Sequence, residues 1–543
     1  MIARKDKGRP KIAPHRHALP ISALPLFALA LLAPATANAT GFTDRGQDIV
    51  PSTETRYSLH GAFRVRSEAL YNLDLDRGPT PSGQLFFPVS ISDPKAQTLT
   101  YHDMRLRTDF AAYAPGGVVA IKTRIDVLDN MPLGGSADGI PGGTTTQQPP
   151  TAAFRIKRVW GEVLTPVGYL AAGRMGHHWG LGMLGNGGDC ADCDSGDAAD
   201  RVAFVTAAAS HIFAVAYDFS AAGYVVPRSD EVRSIDIEPS AAVRTLSVAV
   251  LNWRDEFARK RRAKAGKGTF EYGGIYSRRW QSNDIPATYL PVTAGPDSID
   301  AAQVVGRGLN ANVFDVWSRL SFPGFRLEVE GAYSMASFEQ ASLVPGLEMR
   351  QKVESRQYGG ALESEVGDES DPLGIGLDLG YASGDDAPGF GAKPPLGSLE
   401  APQAGDLDGP QGTPPYDFRV DNFRFHPDYR IDRILFHEII GTVTDAVYVR
   451  PHVRLRLLDF GTARLTASLV AVASWANYAS STPGGQKYLG FELDPTLAYT
   501  SDDGFGVAFE HAVLLPGAGL NNPDLGLSAK PAQLYRLRLS FGF

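Results

Sequence analysis

The chain has 543 residues, a hydrophobic fraction of 43%, 58 glycines, only two cysteines and a net charge of -8. An acidic balance argues against a nucleic-acid partner. Beyond residue 39 there is no uncharged apolar run of about 18 residues or more, which excludes a membrane-spanning helix.

Residues 1–19 hold Arg4, Lys5, Lys7, Arg9, Lys11 and Arg16 against Asp6 alone. An apolar run from Ile21 through Leu32 follows, and then small residues at Ala37 and Ala39. This is the pattern of a secretory signal peptide cleaved after Ala39. Its removal leaves the mature chain near -13. A short periplasmic segment is expected over 40–56, and the main body over 57–543.

That body is a succession of period-2 segments. In 57–71, Phe63, Val65 and Ser67 face one way and Arg64, Arg66 and Glu68 the other. In 104–113, Leu106, Thr108 and Phe110 oppose Arg105, Arg107 and Asp109; in 119–128, Ile121, Thr123 and Ile125 oppose Lys122, Arg124 and Asp126. Further strands are expected at 154–164, 168–175, 201–208, 211–219, 243–253, 270–280, 310–321, 324–335, 354–361, 373–381, 430–436, 441–458, 461–475, 488–499, 504–514 and 532–543.

A soluble β-sandwich also alternates, so the chemistry of the two faces decides. Charges recur in mid-strand, as at Arg326, Glu328 and Glu330 or at Arg454 and Arg456, and aromatics gather at strand ends, as at Tyr57, Tyr71, Tyr101, Tyr113, Trp160 and Tyr169. A membrane barrel puts apolar residues in lipid, tolerates charges in a wet lumen and rings both interfaces with aromatics. The last segment sets Tyr535, Leu537, Leu539, Phe541 and Phe543 against Arg536 and Arg538, and resembles the C-terminal strand that the outer-membrane assembly machinery recognises. The reading is an all-β fold: a closed antiparallel transmembrane barrel of about 18 strands, within a range of about 16 to 20, in the bacterial outer membrane.

Short links such as 114–117, 323–324, 459–461 and 501–504 suit the periplasmic side. Long ones at 72–100, 129–152, 176–200, 281–309 and 382–429 suit the outer side, the last as an exposed loop, a lid or a plug. The segment Ala171-Ala-Gly-Arg-Met-Gly-His-His-Trp-Gly-Leu-Gly resembles alginate-export and other porin-like barrels, although Met175 stands where those carry glutamine. Over Gly61–Leu70, Gly173–Gly185 and Cys190–Arg201 the chain is similar to an uncharacterised family of myxobacterial outer-membrane proteins. The first resemblance implies a passive, charge-lined pore; the second implies no established activity.

Cys190 and Cys193 are the only cysteines, and export favours a disulfide between them. Half of a zinc site, completed by His177 and His178, is the alternative. Asp189, Asp192, Asp194, Asp197 and Asp200 crowd the same loop and are candidate calcium ligands or a solvated acidic patch. His177, His178, His211, His426, His437 and His511 are scattered, and no nucleophile, metalloprotease or phosphate-loop motif occurs, so no enzyme and no cofactor is expected. Paired arginines at i,i+2 share one face, and so many charges in lipid would each cost about 2–4 kcal/mol. Arg64, Arg66, Glu68, Arg105, Arg107, Asp109, Lys122, Arg124, Asp126, Arg326, Glu328, Glu330, Arg454, Arg456, Arg536 and Arg538 are therefore expected to line the lumen. The expected partners are outer-membrane lipid, the barrel assembly machinery and a small anionic solute. A plugged barrel acting through its outer loops is the alternative.

Overall fold

The computed structural model describes residues 53–543 apart from 141, 231, 287–300, 369–370, 388, 392–402 and 408–416. The expected signal peptide and nearly all of segment 40–56 lie outside the described residues.

The barrel begins with β1 (Arg56–Tyr71), β2 (Thr98–Tyr113), β3 (Val119–Pro132), β4 (Phe154–Thr165), β5 (Gly168–Gly176), β6 (Ala198–Ala208) and β7 (His211–Ala221). A small hairpin outside the wall, β8 (Val225–Pro227) with β9 (Ser234–Asp236), precedes β10 (Val243–Asn252). Helix α1 (Glu256–Lys264) separates β10 from β11 (Thr269–Gln281). The wall continues through β12 (Leu309–Phe322), β13 (Phe325–Phe338), β14 (Val353–Val366) and β15 (Leu373–Ala382). It ends with β16 (Ala446–Asp459), β17 (Ala463–Ala476), β18 (Tyr488–Ser501), β19 (Phe505–Pro516) and β20 (Ala532–Gly542).

Each strand pairs antiparallel with its neighbour, in one sheet of 18 strands. β20 pairs back onto β1, with Arg536 opposite Glu68 and Arg538 opposite Arg66. Beyond that ladder, Gly61 and Phe543 exchange both backbone hydrogen bonds at 3.0 Å. A side chain at Gly61 would begin 2.4 Å from the Arg107 carbonyl on β2 and 2.7 Å from the Phe543 ring at the seam, so the position suits glycine. The sheet is closed and has no free edge.

Alternation sorts the side chains as a membrane barrel requires. Outward positions such as Leu59, Ile121, Ile156, Val215, Val248, Val316, Leu377, Leu497 and Leu537 are exposed and apolar. Exposed rings gather at the two rims: Tyr57, Phe270, Phe322 and Phe460 at one end, Tyr71, Tyr101, Phe154, Tyr358, Trp475 and Tyr488 at the other. Inward positions are polar or charged, and many are buried, including Arg64, Arg66, Glu68, Arg105, Asp126, Glu328, Glu330 and Arg536.

Eighteen of the expected segments are strands; 430–436 is not. That stretch lies in the 383–445 connection and enters a single π-helical turn at Leu435–Ile439. Three consecutive amides, of Arg433, Ile434 and Leu435, donate to the Glu492 carboxylate on β18 at 2.9, 2.8 and 3.0 Å. An internal carboxylate has taken the backbone groups that a strand would have given to a neighbour. Residues 423–443 of this connection form a plug. Phe423, Phe425, Ile431, Ile434, Leu435, Phe436, Ile439, Ile440 and Val443 are buried inside the barrel. They form one core with Leu70, Ala382, Ala446, Tyr448, Leu489, Leu514 and Leu534, inward residues near the outer ends of the wall strands.

Candidate functional site

Between β5 and β6 the chain turns into the barrel as a strap, residues 177–197. Its base is fixed on the far wall. The Trp179 indole is buried and donates to Asp315 on β12 at 3.1 Å. The Leu181 amide donates to Glu330 on β13. The strap also meets the plug: the His426 amide donates to the Met183 carbonyl at 2.7 Å. Asp428 accepts from the amides of Asp194 and Ser195 at 3.0 and 2.9 Å.

The strap tip is closed by a disulfide between Cys190 and Cys193, with their Cα atoms 5.1 Å apart. It carries two carboxylates into a cage of guanidinium groups. Asp192 lies 3.0 Å from Arg64, 3.3 Å from Arg66, 3.0 Å from Arg430, 3.6 Å from Arg536 and 3.4 Å from Arg538. Asp194 lies 3.1 Å from Arg64, 3.3 Å from Arg66, 2.8 Å from Arg105 and 3.3 Å from Arg430. The carbonyls of Ala191 and Cys193 accept from Arg105 at 3.1 and 2.8 Å. Lower on the strap, Arg107 donates to the Gly188 carbonyl at 2.8 Å, and Asp189 pairs with Arg124 and with Arg158, the latter at 3.0 Å.

Six arginines thus converge on one tip: Arg64, Arg66, Arg105, Arg536 and Arg538 from the wall and Arg430 from the plug. The wall supplies further acids. Asp103 lies 3.3 Å from Arg64 and 2.8 Å from Arg66, Glu68 lies 2.5 Å from Arg536, and Glu510 lies 3.3 Å from Arg538. Burial by itself would raise the Asp192 carboxyl, but Arg538, Arg430, Arg536 and Arg66 outweigh it and hold the group well below the ordinary range. For Asp194 the same contest between burial and Arg64, Arg66 and Arg430 has the same outcome. Both therefore act as fixed negative charges. His437, beside them in the plug, is held well below its ordinary value by burial, reinforced by Arg430 and Arg536.

The other expected lumen residues lie on the inward face with local partners. Arg107 pairs with Asp126 at 2.8 Å, Arg124 with Asp109 at 2.6 Å and Lys122 with Glu162 at 2.8 Å. Arg326 lies 3.0 Å from Glu328, Arg454 lies 3.0 Å from Glu365 and Arg456 lies 3.3 Å from Asp459. These last arginines belong to the opposite wall and do not reach the strap tip. At the periplasmic end of β1–β4 a pocket of about 370 Å³ is lined by Arg56, Ser58, His60, Asp109, Tyr113, Lys122 and Trp160, among others.

The strap aspartates, read from the sequence as candidate calcium ligands, meet positive side chains of the chain itself. Asp189, Asp192 and Asp194 are neutralised by arginines. Asp197 lies 3.5 Å from His426, and Asp200 pairs with Arg174 at the exposed base, 2.7 Å apart. Among the described residues no three His, Cys, Asp or Glu side chains converge on a metal position. A zinc site would need both thiols free, whereas Cys190 and Cys193 are bonded to each other. Arg430, Asp103, Glu510 and Arg158 escaped the sequence reading. Arg430 is the instructive one, because it lies in the segment misread as a strand.

A closed sheet, an apolar outer band with aromatic rims and a charged interior are now in place. The fold is that of an outer-membrane β-barrel. No family model matches it, and no curated protein matches it either. The resemblance to alginate-export and myxobacterial proteins therefore gains no support. Among solved structures, Pseudomonas aeruginosa OpdK with vanillate matches at 11% identity and a TM-score of 0.44, over 89% of this chain and 98% of that one. Pseudomonas aeruginosa OccK9 (OpdG) matches at 13% and 0.44, over 90% and 98%. A BenF-like porin from Pseudomonas fluorescens Pf-5 matches at 9% and 0.42, over 90% and 98%.

Proposed function

We propose that the protein is a non-catalytic gated channel for small anionic solutes, with the arginine cage as its selectivity site and the strap as its gate. One observation carries this reading: six arginines surround a tip whose only anionic groups are Asp192 and Asp194. A carboxylate-bearing solute offers the cage the charge and acceptor geometry that the strap now supplies. Exchange of solute for strap would open a path along the β1–β4 and β19–β20 wall, past Lys122 and Arg124 towards the periplasmic pocket. Insertion by the barrel assembly machinery, guided by β20, belongs to the same reading.

The plug favours a second reading. Its apolar core fills the outer half of the barrel, so the molecule would act as a closed body through its outer loops. Reversal potential in planar bilayers under a salt gradient separates the two. Anion selectivity in the open state, weakened by Arg64→Ala with Arg536→Ala, supports the channel. Cation selectivity, no response to the arginine substitutions, or silence under all conditions refutes it.

A further inference from the structure

On the side of the barrel where both described ends lie, seven of the eight connections between strands span two to six residues. The eighth, residues 253–268, contains α1. It is also where the charge of the chain reverses. Seven basic residues stand against two acidic ones between Trp253 and Gly268, in a chain whose net charge is -8. Asp255 caps the helix, accepting from the Ala258 amide at 2.5 Å.

One face of α1 turns toward the barrel. Arg259 lies 3.5 Å from Glu271, an inward residue of β11 that Arg319 also holds, and Arg262 donates to the Gly268 carbonyl at 2.8 Å. At about 100° per residue, Phe257, Lys260, Arg261 and Lys264 fall within an arc of about 100° on the side away from Arg259. All four are exposed, Phe257 by 74%, and the Arg261 guanidinium lies 6.0 Å from the Phe257 ring centre. At the same rim β11 and its neighbour β12 present exposed outward rings, Phe270 and Phe322. This face therefore lies opposite the one paired with Glu271, on the rim that carries the aromatic girdle, where headgroups begin.

The geometry points to this face as a docking surface for the anionic phospholipid headgroups of the periplasmic leaflet. Lys260, Arg261 and Lys264 meet the phosphates, and Phe257 enters the interface beside them. The helix is too polar to insert, so it rests on the surface and ties the rim to it. A lipid surface explains an exposed ring set among cations and continuous with the girdle; a soluble acidic protein explains the charge alone. The basic face would then hold the barrel at one depth and attract anionic lipid around β10–β12.

The test uses the full mature chain in nanodiscs of phosphatidylcholine with phosphatidylglycerol, and native mass spectrometry to count the lipids retained on release. The wild type should retain phosphatidylglycerol in preference to phosphatidylcholine, less so at high salt. The triple variant Lys260→Gln, Arg261→Gln, Lys264→Gln should lose about tenfold or more of that preference, since each basic residue near an anionic surface contributes roughly fivefold. Phe257→Ser should fall between the two. Heat-modifiable gel migration confirms that each variant is a closed barrel. A wild type with no preference, or a triple variant that retains phosphatidylglycerol as the wild type does, overturns the assignment and leaves a soluble acidic partner as the occupant.

Discussion

Replacing Asp192 and Asp194 together by asparagine removes the two negative charges of the strap tip and keeps its shape. The side chains are 13% and 20% exposed, and between them they contact six arginines. Removing one partner of a buried ion pair costs about 3–5 kcal/mol. Residual exposure, the remaining acids Asp103, Glu68 and Glu510, and the surviving carbonyl bonds to Arg105 all reduce that figure. The two effects also overlap, because Arg64, Arg66 and Arg430 serve both carboxylates, so they do not add. About 3 kcal/mol for the pair is a working value, equivalent to a shift of roughly 150-fold between strap-in and strap-out states. The assay is single-channel recording in planar bilayers, with open probability read for wild type and variant at one ionic strength. Asp200→Asn is the control, because the Asp200–Arg174 pair is solvent-exposed and contributes about 1 kcal/mol or less. The double variant should open far more often than either the wild type or the control. A correctly folded double variant with wild-type open probability would refute the cage as the lock.

Acid should loosen the interior through histidine first. Burial holds His437 low, and burial with Arg201 lowers His177 to about 4, so both are neutral when folded. Unfolded or released histidines take a proton below about pH 6.5, so their contribution is complete above that value and is lost as pH falls toward 4. Asp192 and Asp194 are depressed carboxyls, whose contribution is complete above about pH 4 and lost only below it. Channel opening should therefore rise between these limits in the wild type and flatten in His437→Gln with His177→Gln; an unchanged acid response in that variant would reject the assignment. The disulfide gives another check. Intact peptide mass should be two hydrogens below the reduced form across Cys190–Cys193, and reduction should raise open probability less than the double aspartate change does. Thiols that alkylate before reduction would contradict the bond.

Most of the wall was legible in the sequence because lipid and water impose opposite chemistry on alternate residues. The outward Leu537 and the inward Arg538 are told apart by residue type alone. The misread segment 430–436 shows the limit of that rule. A plug that packs Ile431, Ile434, Leu435 and Phe436 against an apolar core carries an apolar run like that of a buried strand, and only Glu492, far along the chain, shows that its amides are already taken. The paired arginines were visible, but what answers them was not. Asp194 follows Arg64 by 130 residues, and no local spacing encodes a meeting that the barrel diameter brings about. The aspartate cluster suggested a cation, and guanidinium groups fill that role. The basic run of α1 lies between β10 and β11, and only the structure shows that one of its faces is committed to Glu271.

The β1–β20 seam sets the order in which the molecule can form. Every other ladder of the wall joins wall strands that follow one another along the chain, and such hairpins can arise within about 1–10 μs once both strands exist. The seam joins the two ends of the wall, so the conformational entropy of almost the whole chain must be surrendered before its first bond forms. Until then β1 is an open template that any foreign strand can extend. A residue larger than glycine at position 61 would press on the Arg107 carbonyl of β2 and on the Phe543 ring at the seam, disturbing the strand that closure must use and lengthening the interval in which a nearly complete sheet can be captured by aggregation.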